Sequence, residues 1–97
     1  MITEEEYNTR IQTLLDSGID PRIAPTQAVL DYGLEKQTIT KTDADMALNT
    51  FQMFLNFHPE HVFLSPRERC EKGYYRGPEE SDFWDTIQPI LDKAQGF

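Results

Sequence analysis

The sequence predicts an all-α fold, a small bundle of four or five helices around a central helix at about residues 43–57. Three observations carry this. Apolar residues recur at i, i+4, i+7 and i+8 in several segments, the period of a helix with one buried stripe. Most of these segments open on a capping residue or proline and close on glycine or proline. The one run that alternates like a strand, Gln37–Thr42, has no second strand to pair with and reads as a loop.

Ile2 to Ser17 reads as the first helix. Thr3 is a good N-cap, Glu6 completes a capping box, and Ile2 and Tyr7 can staple across the cap. Glu4, Glu5 and Glu6 suit the positive end of the helix dipole. Tyr7, Ile11, Leu14 and Leu15 form one apolar stripe, and Gly18 supplies the stop. After the Asp20-Pro21 turn, a shorter helix is expected from Pro25 to Tyr32, with Gly33 closing it and Ala28, Val29 and Tyr32 on its buried side. Glu35 to Lys41 is polar except for Ile39 and reads as a linker.

Thr42 to Phe57 is the longest strongly apolar segment. Thr42 is its expected cap with Asp45 at the third helical position, and His58-Pro59 stops it. At about 100° per residue, Ala44, Ala47, Leu48, Phe51, Phe54 and Leu55 share one face. Asp45, Asn49, Gln52 and Asn56 form a polar strip, and Met46, Met53 and Phe57 make a second apolar line nearly opposite the first. Either neighbouring helices wrap both sides, which is the commoner outcome, or this line is an adaptable Met-rich contact surface.

Val62-Phe63-Leu64 is expected to tuck under the central helix. Ser65-Pro66-Arg67-Glu68 starts a short, charged surface helix that Gly73 ends. The last helix runs from Pro78 or Ser81 to Lys93, with Phe83, Ile87, Ile90, Leu91 and Ala94 on its buried stripe and Trp84 at the margin. Pro89 inside it is expected to kink it.

Ninety-seven residues suffice for one domain, 1–97, with a core of its own. Seventeen acids against nine bases give a net charge of −8. That balance disfavours direct contact with nucleic acid or anionic membrane and favours a basic protein partner, unless it serves solubility alone. No apolar run approaches the ~18 residues of a membrane span, and the acidic start does not read as a signal peptide. The single Cys70 forms no internal disulfide, which suits a reducing compartment, so a cytoplasmic location is expected.

No motif carries chemistry. His58 and His61 with Cys70 lack the ligand number and spacing that zinc requires, and nothing near Cys70 activates it as a nucleophile. Phosphate loops and the common hydrolase motifs are missing from the sequence. We therefore expect no catalytic residues, metal or cofactor. The expected function is a small acidic protein-binding module, an inhibitor or immunity-type factor of microbial or phage origin. It would occupy a basic site on a nuclease or nucleic-acid-binding protein. Its candidate contact residues are Tyr74, Tyr75, Arg76, Glu79, Glu80, Asp82 and Asp85, since Tyr and Arg are enriched at hot spots and the acids supply complementary charge. The alternative is a structural or adaptor subunit that homodimerises through Met46, Met53 and Phe57.

Thr3-Glu4-Glu5-Glu6-Tyr7, the long helix ending at His58-Pro59, the Tyr74-Tyr75 pair and the Gly96-Phe97 end resemble the small acidic immunity proteins of colicin DNases. The resemblance implies a toxin-binding role for Tyr74 and Tyr75. The acidic residue and apolar pair that precede the tyrosines in that family are here Glu71-Lys72-Gly73.

Overall fold

The computed structural model describes residues 2–61, 66–73 and 78–96. They form five α-helices, with no strand among the described residues: α1 Glu4–Asp16, α2 Ala24–Glu35, α3 Lys41–Phe57, α4 Pro66–Lys72 and α5 Pro78–Gln95. The fold is the all-α bundle that the periodicity predicts.

Local chemistry sets each boundary. Thr3 is extended, and its hydroxyl accepts a bond from the Glu6 amide at 3.1 Å. The Glu6 carboxylate turns to Arg10 instead of back to the cap. At the other end Gly18 adopts φ +88°, the Ile19 amide donates to the Leu14 carbonyl, and the Gly18 amide donates to that of Leu15. This paired pattern satisfies carbonyls that the helix end would leave open.

α2 corrects the expectation for Gly33. The glycine does not end the helix; it is buried within it. A Cβ built there would lie 2.6 Å from Ala94 Cβ, so the absence of a side chain at Gly33 lets α2 lie close against α5. The actual stop comes at Gln37, whose φ is +60°; the Thr38 amide donates to the Gly33 carbonyl at 2.9 Å and the Gln37 amide to that of Leu34 at 3.2 Å. α3 also begins earlier than expected. Its cap is Thr40, not Thr42, in a complete capping box with Asp43. The Thr-x-x-Asp spacing occurs in both registers, and the one chosen places Ile39 just before the cap, where it is buried with Ala44.

α2 packs against α1, α3 and α5, while α3 packs against α2 and α5. The buried stripe of α5 is Phe83, Ile87, Ile90, Leu91 and Ala94. Pro89 is exposed and lies within α5, where it withholds the amide that the Asp85 carbonyl would otherwise accept from. In α4, Arg67, Glu68, Cys70 and Glu71 are exposed, as its composition suggests, while Ser65 and the Val62–Leu64 segment lie outside the described residues.

α1 docks on α2 through Arg10, which stacks over the Tyr32 ring at 5.7 Å and bonds Glu6 and Glu35. Hydrogen bonding to Arg10 holds the Glu35 carboxyl below its ordinary range. Partial burial instead pushes Asp31 up, with the Arg10 charge opposing it.

Two predictions follow from this packing. Gly33→Ala destabilises the fold by about 1–3 kcal/mol in a urea titration, since the new Cβ would meet the Ala94 backbone at 2.7 Å and overpacking outweighs the gain in helix propensity. Asp31→Asn slightly raises the melting temperature at pH 7. The advantage shrinks as pH falls through the carboxylate range, because a carboxyl whose folded pKa is raised regains stability as it protonates.

Candidate functional site

α3 commits one face to the core and leaves the other open. Ala44, Ala47, Phe51, Phe54 and Leu55 are buried. Met46, Met53 and Phe57 are 49%, 59% and 76% exposed. The expectation that neighbouring helices wrap both sides is therefore corrected. Helices α2 and α5 meet α3 on one side, and among the described residues no helix packs on the other.

Thr50 joins the line. Its hydroxyl donates to the Met46 carbonyl at 2.8 Å and is satisfied within its own helix. The stripe thus reads Met46, Thr50, Met53, Phe57, at i, i+4, i+7 and i+11. The polar strip of Asp45, Asn49, Gln52 and Asn56 borders it and is exposed throughout.

The lower part of the stripe opens into a groove of about 270 Å³ between α3 and α5. Thr50, Met53, Phe54 and Phe57 line one wall, and Asp82, Phe83 and Thr86 line the other. Thr86 repeats the arrangement of Thr50: its hydroxyl donates to the Asp82 carbonyl at 2.9 Å. Both threonine hydroxyls are therefore turned to their own backbones, and the groove keeps an apolar floor of Phe54 and Phe83. These two rings stack with centroids 4.7 Å apart.

The predicted acidic residues divide. Asp82 and Asp85 are exposed, and Asp82 sits on the groove beside Met53 and Phe57. Of the expected acidic contact residues, Asp82 is the one that the structure brings to the Met53 and Phe57 side of α3. Glu80 is corrected: it is 5% exposed and faces inward. One carboxylate oxygen accepts from Trp84 Nε1 at 3.2 Å, and the other lies 3.2 Å from His61 Nε2. The signal was present in the spacing, since Glu80 shares its helix face with Phe83, Trp84 and Ile87 at i+3, i+4 and i+7. Glu79 belongs to α5, but its side chain lies outside the described residues, as do Tyr74, Tyr75 and Arg76 altogether.

His58 and His61 both pack on the Phe54 ring, at centroid distances of 4.8 and 5.0 Å. No group of three or more His, Cys, Asp or Glu that could hold a metal occurs among the described residues. A second, largely apolar recess of about 440 Å³ is lined by Pro21, Arg22, Pro25, Thr26, Phe51, His61 and Trp84. Arg22 at its edge is occupied, donating to the Pro59 carbonyl at 2.9 Å and paired with Asp20 at 3.1 Å. That pairing holds the Asp20 carboxyl below its usual range.

Among the described residues no helix is long and apolar enough to cross a membrane. Compared with known proteins, the chain matches no family model, no curated protein and no solved structure. A functional reading therefore rests on the geometry of the α3 face and its groove.

The division between the acids is testable by denaturation. Glu80→Ala removes an acceptor from a buried polar cluster and costs about 1–3 kcal/mol. Asp82→Lys, on an exposed position two residues away, leaves the unfolding midpoint nearly unchanged.

Proposed function

We infer that this chain is a small acidic protein-binding module whose contact face is the open side of α3 with the α3–α5 groove. The observation that carries the reading is the exposure of Met46, Met53 and Phe57 along one helix whose opposite face is core. Single exposed apolar residues are ordinary, but a line of large ones running three turns marks an interaction surface. Methionine suits that role because its unbranched side chain adapts to the shape of a partner.

Charge supports a basic partner. The molecule carries a net charge of −8, and Asp82 borders the apolar line itself. Complementary charge speeds and orients association, and salt weakens it. A face of this kind suits an inhibitor or immunity-type factor that covers the basic site of a nuclease or nucleic-acid-binding protein. The same charge disfavours direct contact with nucleic acid. The homodimer is a second reading, since the exposed line would serve a second copy equally well in apolar area.

Sedimentation and affinity capture test the reading together. The wild-type chain sediments as a monomer and retains a partner from a lysate of its source organism. Met53→Asp keeps its helix content by circular dichroism, since the side chain is exposed, and loses that partner. Retention of the partner by both Met53→Asp and Phe57→Ser refutes the face. A wild-type dimer that Met53→Asp splits establishes the homodimer instead.

A further inference from the structure

The groove constrains its occupant in shape and in charge. The stripe from Met46 to Phe57 extends about 16 Å along α3, or three helical turns. Its positions recur at helical spacing, so the ridges and hollows that it presents match the side-chain rows of another helix. Its lower half deepens between two helices onto Phe54 and Phe83. A strand would gain its affinity from an open sheet edge, and the described residues contain no strand to offer one. Thr50 and Thr86 donate their hydroxyl protons to their own helices and so offer no donor to an occupant, and the Phe54–Phe83 floor calls for apolar anchors.

The two helices that form the groove are predominantly acidic. α3 and α5 contain Asp43, Asp45, Glu79, Glu80, Asp82, Asp85 and Asp92, against only Lys41 at the start of α3 and Lys93 in the last turn of α5. Glu80 is buried, but Asp45, Asp82, Asp85 and Asp92 are exposed. A second copy bringing the same helices to this face would oppose acid to acid, which costs association free energy. A basic segment meets no such penalty.

We propose that the groove between α3 and α5 receives a basic amphipathic α-helix of a partner protein. Apolar anchors at i, i+3 or i+4 and i+7 seat against Met46, Met53 and Phe57, and flanking Lys or Arg side chains meet Asp82 and the exposed acids of α5. The inference rests on the reading of this face as a protein-binding surface and adds the class of partner.

A displayed library of random peptides of roughly 16 residues, long enough for three turns and their flanks, provides the test when selected on the full chain. Enriched peptides carry apolar residues at helical spacing and net positive charge. A synthetic peptide of their consensus gains helicity on binding. Its affinity falls about tenfold or more for Met53→Asp and for Phe57→Ser, and its salt dependence flattens for Asp82→Lys. If either apolar variant loses helix content, the other carries the comparison.

Enriched peptides with alternating, neutral or acidic patterns that still depend on Met53 overturn the basic helix and leave the binding face standing. Peptides indifferent to both substitutions, or no enrichment, overturn the face as well. A chain that dimerises alone through Met53 assigns the groove to a second copy and overturns the proposal.

Discussion

The packing of α3 against α5 through their aromatic rings is the interaction on which the rest of the structure depends. Phe51 meets Phe83 edge to face at 5.0 Å, and Phe54 stacks on the same ring at 4.7 Å. Phe83 also leans on Trp84 at 4.9 Å. Such contacts contribute about 0.5–1.5 kcal/mol each beyond the area they bury. Their larger effect is geometric. With Phe51, Phe54 and Leu55 fixed against the core, the rotation of α3 about its own axis is set. Met46, Met53 and Phe57 must then point away. The open face is therefore a consequence of how the core is filled.

A second close contact holds this arrangement from the other end. Gly33 lets α2 approach α5 at Ala94, and Thr38 ties the two helix ends by donating to the Ala94 carbonyl at 3.2 Å. α5 is thus clamped near its C-terminus by α2 and near its middle by α3. The groove lies along the α3 side of that clamp, between two helices that the core already holds in place.

The acids of α5 show how position around a helix separates structure from surface. Glu80 and Asp82 are two residues apart, about 200° around the axis. One is turned toward Trp84 and His61, and the other stands on the rim of the groove. A count of acidic residues treats them alike. Burial makes Glu80 part of the scaffold and leaves Asp82 exposed on the groove.

The helices and the core stripe of α5 were legible in the sequence, because an apolar residue every three to four positions admits few other structures. The expected α1 stripe of Tyr7, Ile11, Leu14 and Leu15 is only half-buried, since among the described residues α1 packs on α2 alone. The stripe of α5 is buried throughout, and Gly18 ends α1 as its spacing suggests. Local rules were less decisive where two registers competed: Thr40 and Thr42 each stand three residues before an aspartate, and Gly33 reads as a stop until Ala94 is seen against it. The sequence by itself determined that α3 carries two apolar lines and that the chain is strongly acidic. Only the tertiary structure decided that the second line, Met46, Met53 and Phe57, is left uncovered, because that depends on which helices pack against α3 and from which side. It also decided that Asp82 and Met53 share one groove, since residues 29 positions apart meet only through helix packing.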